Sequence, residues 1–275
     1  MHLGTSFGKG SPVLRSNSPL SDDQIMRVAP SIFAGEAHYS RSERYTYIPT
    51  IDVLRGLQRE GFQPFMVAQT KVRLDDRREF TKHLIRLRHA SDVADMGCKN
   101  EIILVNAHDG TASYKMLAGM LRLACLNGLI CGEGIADYKV RHTGNVVHNV
   151  IEGAFTVLDS FGKVAEARDT MRALPLSNGA QNAFATAALA LRYDDQHPAP
   201  VEASRLLTAR RFEDRAPDLW TTFNRVQENM TQGGLSGRTS NGRRSTTRAV
   251  TGIDQSVKLN RALWVLAEEM AKLAA

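Results

Sequence analysis

Three consecutive segments of β-type sequence between residues 62 and 108 constrain the fold of this chain more than any other feature. The clearest alternation of apolar and polar side chains runs over residues 80–88. A period of two residues is typical of a β-strand with two different faces. One face of this strand carries Lys82, Arg86 and Arg88. We predict strands over residues 62–73, 80–88 and 101–108.

The segment that follows, residues 113–127, is rich in apolar side chains and precedes Gly128. A glycine at this place is typical of a helix end, so we predict a helix that packs on the sheet. The rest of the chain has mainly helical patterns. The predicted fold class is therefore α+β, with a three- to four-stranded antiparallel sheet packed by a helix (a β-β-β-α core) and a helical C-terminal half.

The composition predicts five regions along the chain. The N-terminal region is rich in glycine and serine, and the fourth region contains four arginines and no acidic residue. We predict a flexible arm, an α+β core domain, a helical region, an arginine-rich loop and a C-terminal helix, over residues 1–20, 21–145, 146–230, 231–253 and 254–275.

Charge and cysteine usage favour a cytoplasmic protein that contacts a polyanion. The chain has 275 residues, three cysteines and a formal net charge of +6. Three cysteines without a C-x-x-C pair do not form a disulfide framework, and no apolar run reaches the roughly 18 residues that cross a bilayer. We therefore expect a cytoplasmic protein without a membrane partner. A basic chain is compatible with nucleic-acid binding.

Motifs for catalysis, metals and cofactors are missing. Gly4 and Gly8 enclose three residues rather than the four of a phosphate-binding P-loop, and no nucleophile elbow or dinucleotide fingerprint occurs. We predict no cofactor, no metal site and no catalytic residue. The enzyme alternative would need a site assembled from His108, Asp109 and His148.

Basic residues concentrate in three places that together predict a nucleic-acid surface. The strands offer a row of cations, the arginine-rich loop offers flexible ones, and residues 41–47 interleave arginines with tyrosines that could stack on bases. The predicted nucleic-acid-binding residues are Arg41, Arg44, Tyr45, Tyr47, Lys71, Arg73, Lys82, Arg86, Arg88, Lys115, Arg122, Arg238, Arg243, Arg244 and Arg248.

Three stretches of the sequence resemble a plasmid- and phage-borne bacterial family of domain-of-unknown-function proteins. They are AGMLRLACLNGL at residues 118–129, GGLSGRTSNGRRSTTR at residues 233–248 and GIDQSVKLNRALW at residues 252–264. The resemblance covers most of residues 20–272. It implies a protein of a mobile element and supplies no activity.

A second resemblance concerns the order of elements over residues 40–130. A short helix, three strands and a packing helix with Gly119 and Arg122 are similar to the Rad-fifty-two-type single-strand annealing core. That resemblance implies ring-forming subunits with single-stranded DNA in a basic groove, contacted by Arg41 or Arg44, Tyr47 and Arg122.

We therefore predict that the chain binds single-stranded DNA and anneals complementary strands during recombination or maintenance of a mobile element. A homo-oligomer is expected because repetition would lengthen a short groove, and the second resemblance implies that it is a ring. The alternative is a non-enzymatic plasmid regulatory or partner-binding protein, whose basic loop contacts duplex DNA or an acidic protein.

Overall fold

The computed structural model describes residues 12–40, 47–72, 77–92, 97–112, 114–125, 127–131, 137–139 and 146–274. The chain forms two compact units. The first consists of Met1–Leu129 and Gly134–Phe161, and the second of Ile130–Glu133 and Gly162–Ala275. The α+β class and the helix at the end of the chain are confirmed.

An antiparallel sheet organises the first unit. Its strands are β1 (Val13–Arg15), β2 (Phe62–Gln69), β3 (His83–His89), β4 (Cys98–Asn106), β5 (Lys115–Arg122), β6 (Asn127–Ile130) and β7 (Asp137–Lys139). They follow the order β1-β2-β3-β4-β5-β6, and β7 also pairs with β5. The sheet therefore has more strands than the three or four predicted. One of them, β1, lies within the region predicted to be a flexible arm.

The predicted helix over residues 113–127 is wrong, because this segment forms β5 and the turn that follows it. Met116 to Leu121 are buried on both faces of the sheet, and a short apolar run of this kind does not distinguish a strand from a helix. The resemblance to the single-strand annealing core depended on this packing helix and is not supported. Lys115 and Arg122 are seven positions apart on a strand, so they point to opposite faces.

Helices cover one face of the sheet. They are α1 (Asp22–Val28), α2 (Thr50–Arg59) and α3 (Val146–Asp159). The Phe62 ring of β2 lies 5.4 Å from the Phe155 ring of α3. Ser21 precedes α1 and forms a capping box, in which its side chain and that of Gln24 each accept a backbone N–H.

The opposite face of the sheet closes upon itself. Arg86 of β3 donates hydrogen bonds to the carbonyl oxygens of Gly128 and Leu129 on β6, although β4 and β5 lie between them in the sheet. A Cβ atom on Gly128 would lie 2.6 Å from Cζ of Arg86, so this glycine makes room for the guanidinium. The curl of the sheet creates an interior in which side chains from distant strands meet.

The second unit is helical and carries a β-hairpin. Its elements are α4 (Phe161–Ala173, whose first residue is counted with the first unit), α5 (Asn178–Ala190), α6 (Leu219–Gln232), α7 (Ile253–Ala274), β8 (Ser236–Arg238) and β9 (Arg244–Thr246). Every residue of α6 from Leu219 to Met230 is buried, including polar ones such as Gln227, which donates to Asn260 of α7. The buried α6 is a fixed support for the hairpin that follows it.

Candidate nucleic-acid interface

The predicted row of basic side chains on β3 lies in the interior of the curled sheet. Arg86 and Arg88 are buried around Glu101 of β4, whose exposed fraction is 0%. Arg86 Nη1 lies 2.9 Å from Glu101 Oε2, and Arg88 Nη2 lies 2.9 Å from Oε1. A third guanidinium, that of Arg15, approaches Oε1 to 3.6 Å.

The surroundings of Glu101 and Arg15 shift the pKa values of both groups. Burial alone would raise the pKa of Glu101, but the three neighbouring guanidinium groups outweigh it and lower the pKa of this carboxyl. The pKa of Arg15 is lowered to about 10, mainly by burial; Glu101 opposes this shift, and Arg86 and Arg88 contribute to it. Arg15 and Glu101 are therefore both charged at neutral pH.

Arg86 and Arg88 do not form the exposed row that the alternation predicted. The alternation correctly placed both side chains on one face of β3, and this face points away from the helices. That face is closed, however, and Arg88 also lies 4.2 Å from the centre of the Phe65 ring. We therefore do not include either residue in the proposed interface.

The other predicted residues of the first unit do not form one surface. Lys71 is exposed, whereas Lys82, Lys115 and Arg122 are half-buried. The hydroxyl of Tyr47 donates to the carbonyl of Ala34, and its ring lies 5.0 Å from that of His108, which leaves it unsuited to stacking on a base. The predictions for Arg41, Arg44, Tyr45 and Arg73 fall outside the described residues.

A buried polar network on the helix-covered face was not predicted. Thr50 Oγ1 lies 3.0 Å from His83 Nε2 and 3.2 Å from His108 Nε2, and Asn106 donates to the same oxygen. His83 Nδ1 lies 2.9 Å from Ser31 Oγ. Burial lowers the pKa of His83 to about 3 and that of His108 to about 4. Both imidazoles are therefore neutral at pH 7.

This network does not support the enzyme alternative. Asp109, next to His108, accepts bonds from the backbone and hydroxyl of Thr111, so its carboxylate caps its own turn. Within the described part of the chain, no three His, Cys, Asp or Glu side chains are grouped to hold a metal ion. The network stabilises the interior of the first unit.

The predicted arginine-rich loop is the β8–β9 hairpin. Arg238 and Arg244 are directly opposite each other in the antiparallel register, so their side chains share one face. All four of its arginines, Arg238, Arg243, Arg244 and Arg248, are exposed. None of them forms an ion pair with a carboxylate of the described residues. We call the β8–β9 hairpin, together with these four arginines, the arginine hairpin.

The arginine hairpin is fixed to the rest of the second unit. Arg238 N donates to the carbonyl of Pro200 at 2.7 Å, and a Cβ atom on Gly237 would lie 1.8 Å from that oxygen. Arg192 donates to the carbonyl of Arg248, and Arg210 donates to the carbonyl of Gly233. Two further cations therefore lie at the base of the hairpin.

An exposed aromatic ring lies close in sequence to this basic surface. Phe212 follows Arg210 by two residues and is 75% exposed, which is unusual for a large apolar side chain. The guanidinium of Arg215 lies 5.1 Å from the centre of its ring. Sequence reasoning missed Phe212, because a lone phenylalanine in a basic segment does not reveal its exposure.

Comparison with known proteins places the chain in a family. The model of a family described as "Domain of unknown function (DUF932)" matches residues 37–264. The chain belongs to the DUF932 family. This confirms the resemblance to a domain-of-unknown-function family that the sequence motifs carried.

Two curated relatives come from Escherichia coli (strain K12). UPF0380 protein YafZ is 53% identical over 268 residues, and UPF0380 protein YfjQ is 52% identical over 268 residues. Each alignment covers 98% of this chain and 97% of the relative. No solved structure matches this DUF932 chain. None of the helices in its described ranges combines the length and apolar character needed to cross a bilayer.

Proposed function

We propose that the chain binds single-stranded DNA through the arginine hairpin. The observation that carries this proposal is the facing pair Arg238 and Arg244, which lacks a neighbouring carboxylate among the described residues. Like charges directly opposite on two strands destabilise a hairpin. A phosphate group placed between the two guanidiniums removes that repulsion and accepts hydrogen bonds from both.

The surroundings of the hairpin extend this contact along a polynucleotide. Arg243 lies in the turn of the hairpin and Arg248 lies two residues after β9, and both are exposed. The guanidiniums of Arg192 and Arg210 reach the base of the hairpin. Arginines in a row neutralise successive phosphates and release the counterions that those phosphates hold. The hairpin thus contacts the sugar-phosphate backbone of the DNA and does not recognise its base sequence.

Phe212 favours a single strand as the ligand. Unpaired bases stack on exposed aromatic rings, and such stacking is worth about 1–3 kcal/mol per base. A base within a duplex is already stacked on its neighbours and gains little from this ring. The exposed phenylalanine in the same unit as the arginine hairpin therefore supports single-stranded over duplex DNA.

The shape of the hairpin supports a second candidate, duplex DNA. A two-stranded β-ribbon fits the major groove of B-DNA, and β8–β9 is such a ribbon. In this case Arg238 and Arg244 would enter the groove together. Phe212 would then be dispensable, which distinguishes the two candidates.

Fluorescence anisotropy with a labelled oligothymidylate tests the proposal. We expect Arg238→Ala combined with Arg244→Ala to weaken binding roughly tenfold or more, because two phosphate contacts are lost. The matched control is Arg55→Ala combined with Arg59→Ala, which removes the same charge from two exposed positions on α2. An equal loss in the control would mean that net charge alone drives binding and would overturn the proposal.

Two further titrations separate the alternatives. We expect Phe212→Ala to weaken binding to the single strand and to leave binding to a duplex of equal length unchanged. Tighter binding to the duplex, without any effect of Phe212→Ala, would favour the second candidate. Preference for polyglutamate over both nucleic acids would favour an acidic protein partner.

Annealing and homo-oligomerisation stay predictions. A mixing assay with complementary labelled strands and a mass measurement in solution test them independently of binding. Neither outcome changes the expectation for the arginine hairpin.

A further inference from the structure

The three guanidiniums inside the curled sheet differ in the number of hydrogen-bond acceptors that they contact. Arg86 donates to Glu101 and to two backbone carbonyls, and Arg88 donates twice to Glu101 Oε1. Arg15 is only 2% exposed, yet its Nε and Nη1 atoms have no hydrogen-bond acceptor among the described residues. Its Nη2 reaches only the sulfur of Met66, at 3.7 Å.

The charges of the cluster do not balance either. Three buried cations share one buried carboxylate, and an unpaired charge in the interior of a protein is costly. Asp92 is electrostatically coupled to Arg88, but its two oxygens accept bonds from Asn100. Arg15 is thus the member of the cluster that forms an ion pair with Glu101, at 3.6 Å, without a hydrogen bond to it among the described residues.

The turn after β5 brings the thiol of Cys125 into electrostatic contact with Arg15. Arg122 Nη1 lies 3.8 Å from the sulfur of Cys125, a half-buried residue that also interacts electrostatically with Arg15. Because Cys125 is half-buried, its thiol is the group near Arg15 that solvent reaches. Arg122 itself lies on the other face of the sheet from Arg15 and Glu101, since Gly119 is opposite Glu101 and Arg122 is three positions further along β5.

We propose that the interior of the curled sheet binds an oxyanion of the phosphate class, with Arg15 as its principal ligand. The oxyanion accepts hydrogen bonds from Nε and Nη1 of Arg15 and supplies the negative charge that the cluster lacks. Cys125 lies at the side from which the anion enters. This site belongs to the first unit and is independent of the arginine hairpin.

Thermal unfolding with inorganic phosphate tests the site. The background is the variant with Arg238→Ala and Arg244→Ala, so that phosphate bound at the hairpin does not contribute. We expect phosphate to raise Tm in a saturable way, relative to chloride at equal ionic strength, because a ligand of the folded state stabilises it by mass action. Adding Arg15→Met should abolish the rise. A rise that persists in the Arg15→Met variant would overturn the proposal.

A second measurement remains informative if Arg15→Met does not fold. Alkylation of Cys125 by iodoacetamide, followed by peptide mass spectrometry, reports access to the entry side in the natural chain. We expect phosphate to slow alkylation of Cys125 severalfold, with chloride at equal ionic strength having no effect. Equal alkylation rates in the two salts, together with an unchanged Tm, would show that no oxyanion binds and that solvent or the thiolate satisfies Arg15.

Discussion

The arginines of the two units have similar sequence contexts and opposite environments. Arg86 and Arg88 alternate with apolar residues on β3 and are buried around Glu101. Arg238 and Arg244 belong to a hairpin and are exposed without a paired carboxylate in the described ranges. The first pair stabilises the fold, and the second pair is available to a ligand.

The difference shows that the nearest carboxylate determines the role of an arginine. Glu101 is 13 residues from Arg88 in sequence and on the neighbouring strand. In the second unit Arg211 has the same kind of partner, Glu228 of α6. What distinguishes the four arginines of the hairpin is the lack of such a partner within the described part of the chain, rather than their number.

The largest effect is expected for removal of the shared carboxylate. Glu101→Gln leaves three buried guanidiniums without a counter-charge and should lower the free energy of unfolding by about 3–5 kcal/mol. Urea denaturation measures this loss. The control, Glu152→Gln on the exposed face of α3, should change stability by less than about 0.5 kcal/mol. Equal stability of the two variants would contradict a structural role for the cluster.

Acid should destabilise the interior of the first unit through His83 and His108, two buried histidines with lowered pKa values. Their pKa values, about 3 for His83 and about 4 for His108, lie below the ordinary value of 6.5. The unfolded state therefore binds protons first, and stability is lost as pH falls below 6.5, by up to about 1.4 kcal/mol per pH unit for each histidine.

Denaturation at a series of pH values measures this loss. His83→Gln should reduce the dependence on pH between 6.5 and 4, and the exposed His197→Gln should leave it unchanged. If the natural chain, His83→Gln and His197→Gln have the same pH profile, His83 is not a source of the loss of stability in acid.

A smaller effect is expected for the glycine that accommodates Arg86. Gly128→Ala places a methyl group 2.6 Å from the guanidinium carbon and should cost about 1–3 kcal/mol. Gly35→Ala is the control, because no atom lies within 4 Å of its added Cβ. Equal stability of the two variants would show that the Arg86 guanidinium does not require a glycine at position 128.

The smallest effect, and one of opposite sign, is expected in the hairpin. Arg244→Thr removes the like-charged neighbour of Arg238 and should stabilise the second unit by about 0.2–1 kcal/mol at low salt. Thermal unfolding at low and high salt measures the gain and its screening. Destabilisation by this variant would mean that Arg244 has a structural role like that of Arg88.

The sequence predicted β2, β3 and β4 better than it predicted which faces of the sheet are buried. Alternation along residues 80–88 placed Arg86 and Arg88 on the correct face of β3, but no local pattern reveals that the sheet curls over that face. The same closure buries both sides of β5, which removed the alternation that would have identified it as a strand.

A turn signal in the sequence indicates that the arginine-rich segment forms a hairpin rather than a loop. Asn241 and Gly242 lie between two basic segments, and this dipeptide is a strong signal for a hairpin. Gly242 has a φ of 74°, as such turns require. The partners Glu101 and Arg15 were out of reach, because their meeting depends on strands that are distant in sequence.

The salt dependence of DNA binding tests the central contrast most directly. For single strands, log K falls with log salt concentration by about 0.7 for each phosphate that is neutralised. Removal of Arg238 and Arg244 should therefore reduce the magnitude of the slope by about 1.4, while the Arg55 and Arg59 control keeps the wild-type slope. An unchanged slope in the hairpin variant would contradict the account.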